Sequence, residues 1–379
     1  MEYRKIKVNN EEQDVSLLGF GCMRFPMEGN KINEPLAKKM LLKAIDGGVN
    51  YIDTAYPYHE GESELFVGKA LKNIDRSTYF LADKLPLWDC ETEEDIDRIF
   101  LEQLEKCQVE YFDFYLIHAV NKARYDKTIK LNVIEHLERF RKEGKIKNIG
   151  FSFHDDYDTF IKWVNLYNWD FVQIQLNYMD IDHQQGIKGY ELLTEKNIPV
   201  VIMEPVKGGS LVNFNDEIID KFHQLDETQS IASWAFRWVG TLPNVKVILS
   251  GMSTMEHVDD NIKTFSPFKP LNENELSTIN DIRKHINSLS EVNCTACKYC
   301  MPCPHGVDIP GNLRTFNAHA MYGNNHHTKW VISRLKSNGA FADACIECNI
   351  CLTKCPQSIN IPSELKRFKE YALDNGLLE

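Results

Sequence analysis

The sequence predicts an α/β protein in two parts: a (β/α)8 TIM barrel and, after it, a C-terminal, mainly helical, cysteine-rich domain. Three observations carry this reading. Eight short runs of β-branched and aromatic residues recur across the first 250 residues, most of them about thirty residues apart. Helical patterns fall between them. Eight of the eleven cysteines then sit in two short runs near the C-terminus. A chain of 379 residues is long for one domain, and the length alone suggests about two or three.

The eight runs are Leu17–Phe25, Asn50–Thr54, Tyr79–Lys84, Phe112–His118, Ile146–Ser152, Phe171–Leu176, Pro199–Glu204 and Val245–Ser250. Before the fourth, Thr92 and Asp95 have capping-box spacing, and Ile96, Ile99, Phe100 and Leu104 repeat at helical intervals. Val133, Ile134, Leu137 and Phe140 do the same before Gly144, a helix stop. Eight strands alternating with helices fit a closed barrel of about 250 residues. An open doubly wound sheet is the structural alternative, weakened by the count of eight and by the lack of a GxGxxG turn after an early strand. The seventh interval is longer and predicts an extra helix over 216–225; the barrel's closing helix starts near Met255. Pro267 and Pro270 mark a boundary. The expected division is a barrel over 1–268, a connecting helix within 269–290 and a cysteine-rich domain over 291–379. In the last, helices are expected near 312–321 and 328–336, with His326 and His327 in a solvated turn between them.

Composition bounds the partners. The chain is 43% hydrophobic and 26% charged, ordinary for a soluble protein with a large core. A net charge of −12 argues against nucleic acid or an anionic membrane surface as partner. No uncharged apolar stretch approaches the roughly 20 residues of a membrane span, and the N-terminal MEYRKIKV lacks the apolar core of a signal peptide. The expected location is cytoplasmic, where disulfides are rare and cysteines act as metal ligands.

The first cysteine run is Cys294, Cys297, Cys300 and Cys303, followed by Pro304; the second is Cys345, Cys348, Cys351 and Cys355, followed by Pro356. The second has bacterial ferredoxin spacing, and the first is one residue short of it. Two such runs about fifty residues apart imply two [4Fe-4S] clusters in a ferredoxin-like domain. The alternative is structural zinc. Zinc prefers ligand pairs separated by a longer loop, and four cysteines at every third position crowd too many thiolates for one tetrahedron.

In barrel enzymes the chemistry sits at the C-terminal ends of the strands. Asp53 ends the second run, Tyr58 lies five residues on, Lys84 ends the third and His118 the fourth. Each alone reads as well as a cap, a packed ring, a surface lysine or a core histidine; their joint placement points to a catalytic group. The segments NYIDTAYPY (50–58), LADKLP (81–86) and YLIH (115–118) resemble the Asp, Tyr, Lys and His motifs of the aldo-keto reductase superfamily. LGFGCMR (18–24), IGFS (149–152) and VQIQ (172–175) are similar to its cofactor-lining strand ends, and CTACKYCMPCP (294–304) resembles its iron–sulfur branch.

The resemblance implies an oxidoreductase that reduces a carbonyl or enone with NADP or NAD. Tyr58 would donate the proton, Lys84 would lower the phenol's pKa from about 10, Asp53 would hold Lys84, and His118 would hydrogen-bond the substrate oxygen. Ser152 and Gln173 match positions that bind the carboxamide, and Met203 or Glu204 the ring-stacking position. Gly21, Met23 and Arg24 line the cofactor, and Gly251, Ser253, His257, Asp260 and Asn261 match the adenosine-phosphate loop. Gly251 and His257 replace the lysine and arginine of NADP-preferring relatives, and Lys207 to Gly209 offer alternative phosphate contacts. A flavin, for which no motif is identifiable, or a ferredoxin or flavoprotein carrier is called for if the clusters are catalytic. By analogy with two-cluster ferredoxins, Cys294, Cys297 and Cys300 would pair with Cys355, and Cys345, Cys348 and Cys351 with Cys303. The competing class is a non-catalytic barrel scaffold bearing a ferredoxin-type electron-transfer or binding domain. A third possibility keeps the clusters purely structural.

Overall fold

Eight parallel strands close into a barrel in the computed structural model, which describes residues 1–9 and 11–378. The first two strands lie outside it: β1 (Tyr3–Val8) and β2 (Glu11–Ser16) form an antiparallel hairpin. The barrel begins at β3 (Leu18–Gly21). A small hairpin of β4 (Met27–Glu28) and β5 (Lys31–Ile32) follows, and the barrel continues through β6 (Tyr51–Asp53), β7 (Phe80–Leu85), β8 (Phe112–Val120), β9 (Ile146–Phe153), β10 (Phe171–Gln175), β11 (Val200–Met203) and β12 (Val245–Ser250), which pairs back to β3. All eight strands fall within or beside the expected runs. The outer β1–β2 hairpin had no counterpart among them.

Strand periodicity explains why these runs close on themselves. Successive side chains alternate between faces. Tyr51, Ala82, Phe114, Phe171, Val201 and Val247 form one buried cluster inside, together with Ile6, Val8 and Val15 of the hairpin. Ile52, Leu81, Tyr115, Phe151, Val172 and Ile248 belong to the other, with the helices. Apolar residues on both faces mark a sheet covered on both sides. The hairpin seals the N-terminal end: Asn50, just before β6, accepts from Ser16 N at 2.8 Å. The C-terminal end stays open to polar groups.

The covering helices are α1 (Glu34–Asp46), α2 (Glu62–Leu71), α3 (Glu93–Cys107), α4 (Lys122–Lys130), α5 (Val133–Lys142), α6 (Tyr157–Val164) and α7 (Gly186–Glu195). After α8 (Asp216–Asp226), α9 (Ile231–Gly240) and α10 (Met255–Phe265) complete the ring. The Thr92–Asp95 capping box opens α3, with Asp95 Oδ2 accepting from Thr92 N at 3.0 Å. Gly144, at φ 78°, follows the end of α5 as expected.

The chain divides into two compact units, residues 1–208 with 232–272 and residues 209–231 with 273–379. The predicted extra helix, α8, is present and belongs to the second unit. There it joins α11 (Glu273–Ser288), α12 (Ile309–Tyr322), α13 (Asn325–Ser337) and α14 (Ile361–Asp374). Val307, Leu313, Phe316, Phe341, Leu365 and Phe368 form that unit's core. His326 and His327 lie in the first turn of α13 rather than before it, because Asn324 caps the helix by accepting from His327 N at 3.1 Å. They are exposed, as expected.

Candidate functional site

Asp53, Lys84 and His118 reach the open end of the barrel from β6, β7 and β8, and Tyr58 comes from the turn that follows Asp53. The structure brings all four together. Lys84 is fully buried, and its Nζ donates to Asp53 Oδ1 at 2.7 Å and to the Thr54 carbonyl at 2.6 Å. The same Nζ lies 4.8 Å from the centre of the Tyr58 ring. Tyr58 meets His118 edge-on with ring centres 6.0 Å apart. Asp53 Oδ2 and His118 Nδ1 are buried without a hydrogen-bond partner. Orphaned buried acceptors are costly, and they cluster where a ligand completes the site.

Electrostatics follow from burial and neighbours. Burial opposes a charged Lys84, but Asp53 and the Tyr58 phenol outweigh it, so its pKa is raised. Burial lifts the Asp53 carboxyl above the usual range, with Lys84 acting against the rise. His118 is driven well below the ordinary imidazole value, first by burial and then by Lys84, His154 and Arg124. It is therefore a neutral imidazole at pH 7. Lys84 lowers the phenol's pKa, as expected, but does not bring it below tyrosine's ordinary value. Burial dominates and pushes Tyr58 up to about 12, with Lys84 pulling against it and Asp53 adding to the rise. The phenol is protonated at neutral pH, as a proton donor must be.

A second set of buried groups lies behind Lys84, and sequence reasoning missed it. Asp83 Oδ1 accepts from the Lys84 N–H at 2.8 Å. Gln103 Nε2 donates to the Lys84 carbonyl at 3.0 Å and to Glu64 Oε1 at 2.8 Å, while Tyr115 donates to Gln103 Oε1 at 2.6 Å. Asp83 of β7 thus holds the Lys84 N–H and Gln103 of α3 its carbonyl, while Glu64 of α2 and Tyr115 of β8 fix Gln103. Burial, then the charge of Glu64, keeps Asp83 well above the usual carboxylate range; burial also raises Glu64, with Gln103 and Lys106 opposing. The available signal was Asp83 itself, a second carboxylate in a buried strand beside the lysine.

The residues expected around the nicotinamide surround the same opening. Gln173 is buried, its Nε2 3.5 Å from Met203 Sδ and its Oε1 without a partner. Ser152 Oγ already accepts from the Ala119 N–H at 2.7 Å. Gly21 ends β3, and Met23 and Arg24 follow, Met23 exposed. Arg24 is half-exposed, 3.7 Å from Glu204. A Cβ at Gly251 would come within 3.1 Å of the Arg24 side chain, so glycine lets the two loops meet. Ser253 donates through Oγ to the Arg24 carbonyl and through N to His257 Nδ1. Asp260 and Asn261 lie on α10; Asn261 is buried and donates to Ser250 Oγ at 2.7 Å.

The eight cysteines form a separate site in the second unit. The residues flanking each run's second cysteine are left-handed: Ala296 (φ 54°) and Lys298 (φ 65°) about Cys297, Glu347 (φ 56°) and Asn349 (φ 61°) about Cys348. Each such non-glycine residue costs about 1–2 kcal/mol. Turns of this kind direct successive N–H groups inward and make anion-binding concavities, including those of iron–sulfur sites. A longer repeat follows. Segments 303–310 (CPHGVDIP) and 355–362 (CPQSINIP) both run from the last cysteine of a set into a helix, with Asp308 and Asn360 as its caps. Cys300 and Cys303 of the first run line a small cavity together with Cys345, Cys348 and Cys351 of the second. The donor set and the loops fit cubanes.

Comparison with known proteins agrees with both halves. A family model described as Aldo/keto reductase family matches residues 17–284, and one described as 4Fe-4S dicluster domain matches residues 293–360. The uncharacterized oxidoreductase YqkF of Bacillus subtilis is 26% identical over 311 residues, 73% of this chain and 95% of that protein. The NADH-specific methylglyoxal reductase of Escherichia coli is 22% identical, covering 68% of this chain and 92% of its own. Among solved structures, an aldo-keto reductase from Bacillus halodurans in its holo form superposes with a TM-score of 0.59 at 24% identity, over 74% of this chain and 96% of that one. An aldo-keto reductase from Klebsiella pneumoniae in complex with NADPH gives 0.59 at 21% identity, over 75% and 96%.

Proposed function

The chain belongs to the aldo/keto reductase family, and from that premise we propose that it reduces the carbonyl or enone of a small molecule with a nicotinamide cofactor, its C-terminal 4Fe-4S dicluster domain holding two [4Fe-4S] clusters. The observation that carries the reading is Lys84, fully buried, held by Asp53 at 2.7 Å and poised 4.8 Å from the Tyr58 ring. Burying an ammonium costs several kcal/mol, which a structural role in a barrel rim does not call for.

In this reading Asp53 fixes Lys84 as a cation. Lys84 in turn lies beside the phenol and stabilises it as its proton leaves. Tyr58 gives that proton to the substrate oxygen. His118, neutral, donates a hydrogen bond to the same oxygen as charge develops there. When bound, the nicotinamide supplies a hydride. Gln173, with an orphaned buried Oε1, fits its carboxamide, and Ser152 and Met203 border the same place. Gly21, Met23, Arg24, Gly251, Ser253, His257, Asp260 and Asn261 fit the rest of the dinucleotide, with Gly251 and His257 at the places where NADP-preferring relatives carry the lysine and arginine that meet a 2′-phosphate. NADPH in the Klebsiella pneumoniae structure supports a nicotinamide here.

Cys345, Cys348 and Cys351 would hold one cluster with Cys303, which acts on the Cys351 thiol alongside Cys345 and Cys348. Cys294, Cys297 and Cys300 would hold the other with Cys355. Residues 1–268 then carry the hydride chemistry and 291–379 the clusters, with 269–290 joining them. Eight thiolate ligands call for a reducing compartment, in keeping with a cytoplasmic location. If the clusters take part in turnover, a flavin or a ferredoxin-type carrier must supply or remove single electrons.

The test is Tyr58→Phe, which keeps the ring and removes the proton. Carbonyl reduction should fall by roughly 10²-fold or more, with cofactor affinity little changed. Full activity on every substrate the wild type accepts would contradict the assignment.

A further inference from the structure

Arg124 stands at the barrel mouth with no part in the hydride and proton chemistry. It lies in the first turn of α4, the helix after the strand that carries His118. Its guanidinium sits over the Trp88 indole, Cζ 4.8 Å from the ring centre. Trp88 belongs to the turn after the strand that carries Lys84, and its ring lies 5.0 Å from the His118 imidazole. The sequence Tyr58, His118, Trp88, Arg124 is therefore one continuous row of contacts leading away from the reacting oxygen.

The guanidinium is half-buried and short of partners. It donates to the Ala119 carbonyl, and no carboxylate lies within ion-pair distance of it among the described residues. Burial alone depresses its pKa, with no acidic group acting in the other direction. The charged or chargeable groups that bear on His118 are Lys84, His154 and Arg124, all basic. In a chain of net charge −12, a mouth with an uncompensated cation is a local exception. Arginine's planar fork is the group that matches a carboxylate in two parallel hydrogen bonds.

We propose that the barrel mouth selects small carbonyl compounds that also carry a carboxylate, the carbonyl oxygen at Tyr58 and His118 and the carboxylate on Arg124. The inference rests on the reductase reading of the same site. Because Trp88 spans the distance between His118 and Arg124, the two functional groups belong at opposite ends of a benzene ring or a short chain. In the reaction the carbonyl carbon gains the hydride as the reduced nicotinamide is oxidised, and the oxygen gains the Tyr58 proton, which solvent restores. The carboxylate end is unchanged.

Two probes isolate the charge: 4-carboxybenzaldehyde and its methyl ester, methyl 4-formylbenzoate. Both are assayed with intact, anaerobically prepared protein, and the quantity read is the ratio of their kcat/KM values, which does not depend on how much protein is folded. The wild type should favour the acid. Arg124→Gln retains a donor for the Ala119 carbonyl but not the charge, and should lower the ratio roughly 10- to 100-fold. A wild-type ratio near one, with both aldehydes reduced, overturns the inference and leaves the reductase reading standing. A binding arm does not depend on turnover: terephthalate, an unreactive dicarboxylate, titrated calorimetrically into the wild type and Arg124→Gln. At least tenfold weaker binding to the variant supports the inference even if no aldehyde is reduced, an outcome that would instead sink the reductase reading. Equal binding to both proteins overturns it.

Discussion

Lys84 and Asp53 form an ion pair with no access to water, so removing either partner strands the other. Lys84→Met should cost about 3–5 kcal/mol by leaving a buried carboxylate uncompensated. The double variant Lys84→Met with Asp53→Leu should regain most of that stability in a denaturant titration and none of the activity. A double variant no more stable than the single one would show that the pair is not the source of the cost. The Tyr58 phenol, pushed up to about 12, sets a second expectation. A raised pKa keeps the donor protonated as pH rises, so reduction is lost only as pH passes that raised value. The alkaline limb of kcat/KM for reduction should therefore lie above tyrosine's ordinary value of about 10. A limb near pH 8 that disappears in Tyr58→Phe would contradict this. At this scale the four mouth residues were legible because each ends a strand or starts its loop, where barrel chemistry sits. Glu64 and Gln103 were not. In sequence they read as polar residues of exposed helices, and only the packing of α2 and α3 on β7 buries them. Arg124 was equally silent, because a lysine- and arginine-rich helix start looks like solvated surface.

The strand that carries His118 is interrupted just beyond it. Its register with β9 shifts between Ile117 and Val120, and Ala119 adopts a left-handed conformation at φ 51°. Ser152 of β9 accepts the displaced Ala119 N–H, so this bulge depends on one buried hydroxyl. Bulges at barrel rims re-aim neighbouring side chains. Ser152→Ala should orphan that N–H and cost about 1–3 kcal/mol, read as a lower denaturation midpoint. Ala119→Gly should relieve the left-handed strain and raise stability by about 1 kcal/mol. No change in either variant would show that the bulge is not held this way. Strand positions were readable because apolar runs covered on both faces stand out from amphipathic helices. The β1–β2 hairpin escaped notice because only Ile6, Val8, Val15 and Ser16 of its two strands are buried, among charged neighbours. The helix over 216–226 was visible from its periodicity, but its membership of the second unit depends on contacts far apart in sequence.

The proposed function puts two kinds of electron chemistry on one chain. A nicotinamide gives up two electrons together as hydride, whereas a cubane takes one. Direct exchange would pass through a high-energy nicotinamide radical, so reduced nicotinamide alone should not bleach the clusters on the timescale of turnover in oxidised, flavin-free protein. Rapid bleaching with a reduced-cluster paramagnetic signal would defeat that expectation. Iron analysis of anaerobic protein should give about eight irons per chain; zinc at one or two per chain without cluster absorbance would reject the cubanes. The cysteine spacing made the 4Fe-4S dicluster domain legible at once. The repeat of CPHGVDIP and CPQSINIP was equally present but went unread, because its meaning lies in the matching turns and helix caps it forms. The most direct test of the account follows the hydrogen itself. Anaerobic protein is supplied with reduced nicotinamide deuterated at both C4 positions and a panel of aldehydes, and any alcohol formed is examined by mass spectrometry. Hydride delivery at the Tyr58 mouth predicts one deuterium on the carbinol carbon. Alcohol carrying only solvent hydrogen there would mean that the electrons arrive singly, by way of the clusters, and would contradict it.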